Sequence, residues 1–378
     1  MSENHLRILL ALVGDIHHEP AAHVKYGLLH ATLERVYGTV RVFDTTLHGV
    51  ARVINALFVF HPSPARWRER FWKNIPAFRA RSKHVAKEVL GSADNTDIVL
   101  QLGVLFDAGL YQSKVPVVIY TDYTASMSAM RPEAGRSPFN SLQRAEWLEL
   151  ERQSYVRAAH IFVRSELVRQ SIIQDYGIDA KKLTVVGGGL NFATLPEPVS
   201  RLENEAPVIL FIGKEFYRKG GDVLLKAFAR ARLEFPMARL RLITQGPIPS
   251  DLPLEHVDVL QPTWEREAIA SLFCAADIFA LPSRLETWGD VLLEAMAWGL
   301  PCIGVQGDAM SEIILDGKTG ILIPSTDVSA LAEALIKLMR QPTLRTDMGL
   351  AGRQRVEMEF TWDRVVERMR AVLEYIKL

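Results

Sequence analysis

Two carboxylates, Glu286 and Glu294, stand eight residues apart in a stretch that reads as strand end, tight turn and buried helix. Between them Thr287-Trp288-Gly289 leads into the helix. A helix start leaves backbone N–H groups unpaired at the positive end of its dipole, so it favours an anion, and Trp288-Gly289 lets the backbone approach one closely. A phosphate is the natural guest. Around Glu294 the residues are Val291, Leu292, Leu293, Ala295, Met296, Ala297 and Trp298, which leave almost no polar face. A carboxylate carried into such surroundings needs hydrogen-bonding partners, and sugar hydroxyls are suitable ones. Eight helical residues rise about 12 Å, so the two acids reach opposite ends of one extended ligand. For either glutamate alone, exposure or an ordinary ion pair is the competing explanation.

The elements that must hold these groups follow from the apolar pattern. Residues 275–281 form a short apolar run suited to a buried strand. Gly299 and Pro301 stop a helix that begins near Thr287. Upstream, 7–13, 40–43, 98–102, 115–120 and 160–163 read as short buried strands separated by helical stretches, and this alternation implies a parallel sheet. A second series, 208–212, 239–244, 256–260, 278–281, 302–305 and 320–323, implies a second sheet. The stretch from Leu195 to Pro207, rich in proline and polar residues, reads as the linker. A chain of 378 residues suits two moderate domains better than one core. The reading is therefore α/β, with a Rossmann-like domain over 1–200, a second over 201–361, and an amphipathic tail over 362–378.

Composition narrows the class. The 44 basic and 44 acidic side chains cancel, which argues against a protein built to coat nucleic acid. Cys274 and Cys302 both lie in apolar stretches, where cysteine behaves as a small hydrophobe, and a reducing cytoplasm fits. No apolar run approaches 18 residues, and 6–13 reads as a first strand rather than a signal peptide.

The segment Arg284-Leu285-Glu286-Thr287-Trp288-Gly289, continuing to Glu294-Ala295-Met296-Ala297-Trp298-Gly299-Leu300-Pro301, closely resembles the signature of the family 4 retaining glycosyltransferases of the GT-B fold. Phe211-Ile212-Gly213-Lys214-Glu215-Phe216-Tyr217-Arg218-Lys219-Gly220 is similar to the family's phosphate-binding strand and loop. Ser311 to Gly320, and Thr184 to Asn191, match further blocks in order and spacing. The resemblance is specific from about Ala159 onward. It implies two Rossmann-like domains facing each other across a cleft, with the tail helix crossing back to the first.

It also implies roles. Lys214 and Lys219 would meet the diphosphate of a nucleoside diphosphate sugar, where charge develops as the glycosidic bond breaks. Glu294 would hold ribose hydroxyls, Glu286 the transferred sugar, and the backbone at Thr287, Trp288 and Gly289 the distal phosphate. Gly14, alone before Asp15-Ile16-His17-His18, corresponds to the turn where the family often has paired glycines. Thr121 stands where many members place a histidine, and Asp122 either orients an acceptor hydroxyl or caps the following turn. Lys214 replaces a more usual arginine. The resemblance implies no metal and no cofactor. Base and acceptor have no decisive side-chain code. The alternative activity class is a noncatalytic nucleotide-sugar-binding or assembly protein; an epimerase or phosphorylase-like relative is the enzymatic one.

One feature lies outside that pattern. Across 61–87 the chain carries eight bases, Arg66, Arg68, Arg70, Lys73, Arg79, Arg81, Lys83 and Lys87, against Glu69 alone. Trp67, Phe71, Trp72 and Phe78 are interleaved. The segment suits peripheral contact with an anionic lipid surface at the inner face of a membrane. The bland alternative is a helix with its aromatics packed inward and its charges solvated, and Pro76 interrupts any long helix.

Overall fold

The computed structural model describes residues 6–131, 138–197, 199 and 206–377. The chain forms two compact units, Met1–Gly187 with Trp362–Leu378, and Gly188–Thr361.

In the first unit, apolar runs of four or five residues make the strands. They are β1 (Ile8–Leu12), β2 (Val40–Asp44), β3 (Ile98–Leu102), β4 (Val117–Thr121), β5 (His160–Val163) and the shorter β6 (Leu183–Val185). The central strands β1, β3, β4 and β5 are buried along their whole length, while the edge strands β2 and β6 are mostly half-buried. All pair in parallel in the order β2-β1-β3-β4-β5-β6. Parallel neighbours require crossovers. These are α1 (Pro20–Tyr37), the trio α2 (Gly49–Phe58), α3 (Pro64–Trp72) and α4 (Ile75–Gly91), then α5 (Ala125–Met130), α6 (Ser141–Arg157) and α7 (Glu166–Tyr176). Local chemistry sets several starts: the Asn74, Thr124, Asn140 and Ser165 side chains each accept from a first-turn N–H. Pro76 lies in the first turn of α4, where its missing N–H costs nothing.

The second unit repeats the plan. Its strands are β7 (Val208–Glu215), β8 (Arg239–Gln245), β9 (Val257–Leu260), β10 (Ile278–Ala280), β11 (Cys302–Val305) and β12 (Gly320–Ile323). Its helices are α8 (Gly221–Ala231), α9 (Arg266–Cys274), α10 (Asp290–Ala297), α11 (Met310–Ile313), α12 (Val328–Arg340) and α13 (Pro342–Glu359). The sheet order is β12-β11-β10-β7-β8-β9. Counted within the unit, this is the doubly wound order 3-2-1-4-5-6 read from the far edge, and its reversal of direction lies between β7 and β10. Ligands of such sheets bind beyond the carboxyl ends of the strands at that point.

A last helix, α14 (Trp362–Lys377), follows. Its Trp362, Val365, Val366, Met369 and Leu373 are buried in the core of the first unit with Leu29, Leu33 and Tyr37 of α1. Gly187 ends the first unit, thirteen residues before the expected boundary at 200. Leu190 already belongs to the second core, its N–H donates to the Phe360 carbonyl (2.7 Å), and Phe192 and Leu195 pack beside it. Much of the expected linker, including Asn204 and Glu205, lies outside the described residues.

Candidate active site

Two loops of the second unit meet at the reversal point. One follows β7 and carries Arg218 and Lys219; the other follows β10 and carries Glu286. Their contact is built from glycines. Gly220 (φ +75°) lies so close to Pro282 that a Cβ would fall 1.9 Å from its carbonyl oxygen. Gly213 makes room for Lys219, whose Cβ would lie 2.7 Å from a Cβ there. The loops are then latched reciprocally. The Arg284 N–H donates to the Arg218 carbonyl (2.8 Å), the Arg218 guanidinium donates to the Leu285 carbonyl (3.1 Å), and Arg284 forks onto both oxygens of Asp222 at 2.7 Å. Bidentate pairing of this kind fixes orientation as well as distance.

This frame brings Lys219 and Glu286 together. The Lys219 ammonium donates to Glu286 Oε2, to which Ser283 Oγ also donates at 3.3 Å. The Glu286 N–H donates to Asp308 Oδ2 (2.9 Å), so the loop after β11 holds the same turn from a third side. Lys219 is therefore not the solvated loop lysine that its neighbours Arg218 and Gly220 allow in sequence. It is largely enclosed, and Arg218 is buried.

The helix bearing Glu294 starts at Asp290, three residues later than expected. Gly289 at φ +105° cannot continue a right-handed helix backward, and Glu286 to Trp288 form an extended turn. Gly289 supplies no side-chain cap, which leaves the first N–H groups of α10 to the backbone turn. Thr287 is buried, and the Trp288 ring turns into the core, edge-on to Phe360 at 5.8 Å between centroids. Gly289 is buried as well. Glu294 is half-buried, one turn into α10. Burial pushes its carboxyl up to about 7, with Asp290 adding to the shift and Arg266 opposing it. No side-chain hydrogen bond to Glu294 is formed among the described residues. Lys214 is exposed at the end of β7, its ammonium 3.8 Å from the centre of the Trp264 ring.

The predicted residues of the first unit form a separate set. The Gly14 N–H donates to Asp44 Oδ1 (2.9 Å) and Thr46 Oγ1 (3.0 Å), and at φ +108° the glycine allows the chain to turn after β1. Its amide is thus used by the fold. Asp122 does not cap α5, because Thr124 does; it pairs instead with Lys25 at 3.1 Å. His18 pairs with Asp15 at 2.7 Å. Sequence reasoning missed Ser283, Asp308 and Arg284. Asp308 had a signal, since Gly307-Asp308 comes just after the strand that ends at Val305. Arg284 opens the signature segment but carries no role in it, and Ser283 had no signal beyond proximity.

The basic segment is corrected in part. Phe78 is buried and lies edge-on to Trp147 at 5.4 Å, Phe71 and Trp72 are half-buried, and Arg81 is buried with its guanidinium donating to the Trp72 carbonyl (3.0 Å). An aromatic-in packing prevails for α4 because its apolar face covers α6.

Taken together, two parallel six-stranded sheets with covering helices, and a Lys–Glu pair at the reversal point of the second, define an α/β protein of the GT-B glycosyltransferase fold. Over 98% of the chain, it superimposes on 99% of sucrose-phosphate synthase from Thermosynechococcus elongatus with a TM-score of 0.69 at 20% identity. Residues 196–355 match the family described as glycosyl transferases group 1. The chain is 33% identical over 211 residues to a GDP-mannose-dependent monoacylated alpha-(1-6)-phosphatidylinositol monomannoside mannosyltransferase of Corynebacterium glutamicum, covering 52% of this chain and 54% of that protein. It is 29% identical over 249 residues to a D-inositol 3-phosphate glycosyltransferase of Kineococcus radiotolerans, covering 57% of each. The chain thus spans about half the length of the curated relatives it matches.

Proposed function

We propose that the chain is a retaining hexosyltransferase of family 4 that moves a sugar from a nucleoside diphosphate sugar to an acceptor hydroxyl. The observation that carries this reading is the enclosed Lys219–Glu286 pair, set by three loops at the strand ends where a doubly wound sheet binds nucleotides. In this reading Glu286 accepts hydrogen bonds from the transferred sugar and Glu294 from the ribose. Lys219, Lys214 and the start of α10 meet the diphosphate. The bond from the anomeric carbon to the phosphate oxygen breaks, the acceptor oxygen bonds to the same face, and the acceptor proton passes to the departing phosphate. Preorganised positive charge at that phosphate is the largest single contribution expected, and each donor removed costs about 3 kcal/mol of barrier. In this reading the diphosphate is met by lysines.

The activities of the relatives, a GDP-mannose-dependent mannosyltransferase and a D-inositol 3-phosphate glycosyltransferase, support a polyol or glycolipid acceptor. Nucleotide release from a panel of UDP, GDP, ADP and TDP sugars tests the proposal without an acceptor. Release from one donor should fall on the order of a hundredfold in both Lys219→Ala and Glu286→Ala. Silence across the panel, with no calorimetric nucleotide binding, would overturn the transferase reading and favour a noncatalytic assembly role.

A further inference from the structure

Helix α2 is built inside out. Its sequence, Gly49-Val50-Ala51-Arg52-Val53-Ile54-Asn55-Ala56-Leu57-Phe58, is apolar apart from Arg52 and Asn55. Its one buried residue is the polar one: the Asn55 amide donates to the Phe71 carbonyl (3.0 Å), and its side-chain oxygen accepts from Asn74 (2.9 Å). The apolar side chains point the other way. Val50, Val53, Ile54, Leu57, Phe58 and Phe60 are each 58–74% exposed. A contiguous apolar face of this size on a soluble unit marks an interaction surface.

The charges beside it identify the partner. From 49 to 73 there are five bases, Arg52, Arg66, Arg68, Arg70 and Lys73, against Glu69 alone. Helix α3 is fixed to α2 through Trp67, whose Nε1 donates to the Ala56 carbonyl (2.9 Å) and whose ring meets Phe60 edge-on at 5.6 Å. The bases on α3 are therefore held beside the apolar face. At its foot a cavity of about 630 Å³ is lined by Phe58, Val59 and Phe139 together with Arg70, Lys73 and Arg79, the last paired with Glu146 at 2.7 Å on the same wall, so three bases face one acid. A second copy of the chain would bring like charges together across a two-fold contact. An anionic bilayer offers an apolar layer bounded by phosphates.

We propose that α2 and Phe60 dock this unit on an anionic membrane, with the apolar side chains entering the headgroup boundary, the α3 arginines meeting lipid phosphates, and the Arg70–Lys73–Arg79 cavity admitting a headgroup. The surface is independent of the donor site and stands whether or not that reading holds. Flotation of the full chain with vesicles tests it. The protein should float with mixed phosphatidylcholine and phosphatidylglycerol vesicles and remain at the bottom with phosphatidylcholine alone. Partition should fall about fivefold for each of Arg66→Ala and Arg68→Ala, and roughly tenfold or more for Leu57→Asp. All three positions are exposed, so circular dichroism melts should match the wild type. Absence of flotation with anionic vesicles overturns the proposal, as does undiminished flotation of Leu57→Asp. A lipid-free dimer in sedimentation that Leu57→Asp dissociates also overturns it, by giving the face to a second copy.

Discussion

Glu294 carries the most informative chemistry of any single side chain in the second unit. Its neighbours on α10 are apolar because the helix is buried against β10, β11 and α13, and the same burial lifts its carboxyl to about 7. The folded chain therefore holds a proton there that an unfolded glutamate has already lost. The stability this lends is present below the unfolded value of 4.5 and is lost as pH rises through about 7. Ligand binding has the opposite sign, because ribose hydroxyls donate best to the ionised form. Affinity for the donor nucleotide should rise from pH 5.5 toward 7, approaching roughly tenfold per unit at the acid end, and level off above. Calorimetric titration of Glu294→Gln should give weaker, pH-independent binding. A retained slope in that variant would assign the proton elsewhere. The sequence made Glu294 legible as a carboxylate in an apolar helix; it gave no sign that Lys219 and Glu286 touch, since 67 positions separate them.

At the scale of elements, the site depends on how tightly two loops approach. Gly220 allows contact with the Pro282 carbonyl, and the Arg218–Leu285 and Arg284–Asp222 bonds hold it. Gly220→Ala combines a left-handed backbone angle with a Cβ placed on a carbonyl oxygen, so the loops must part. A shift of about 1 Å at a positioned group reduces turnover on the order of a hundredfold. We expect that loss in donor hydrolysis, with the melting temperature lowered and far-ultraviolet circular dichroism unchanged. Wild-type turnover in Gly220→Ala would show that the latch does not position Lys219. Strand positions were readable because parallel strands are continuous apolar runs. The start of α10 was not, because a glycine at φ +105° ends a helix only once neighbouring loops impose that angle.

Across the whole molecule, the chain returns to its first unit after completing the second. Trp362 is buried against Tyr120 of β4 (6.5 Å between rings), and Arg164 lies over both rings. Trp362→Ala leaves a large void beside that cation and should destabilise the first unit by about 3–5 kcal/mol. Hydrogen exchange should then show faster exchange in β1, β3 and α1, with the second unit's strands as protected as in the wild type. Uniform loss of protection would mean that the two units unfold together. The division also limits what exposure can be inferred from composition: α2 contributes few charges and went unremarked in sequence, yet its apolar face is exposed.

The sequence by itself determined that this is a two-unit α/β chain with parallel sheets, because strand-length apolar runs, turn residues and amphipathic helices are local properties. It also marked Glu286, Glu294, Lys214 and Lys219 as a set. Only the tertiary structure decided that Lys219 closes on Glu286, that Asp308 and Ser283 complete the turn, and that Asp122 pairs with Lys25 instead of capping a helix. It alone turned Phe78 inward and the face of α2 outward. Which partner a side chain meets, and which side of a helix is covered, are set by elements distant in sequence, and no local pattern contains them.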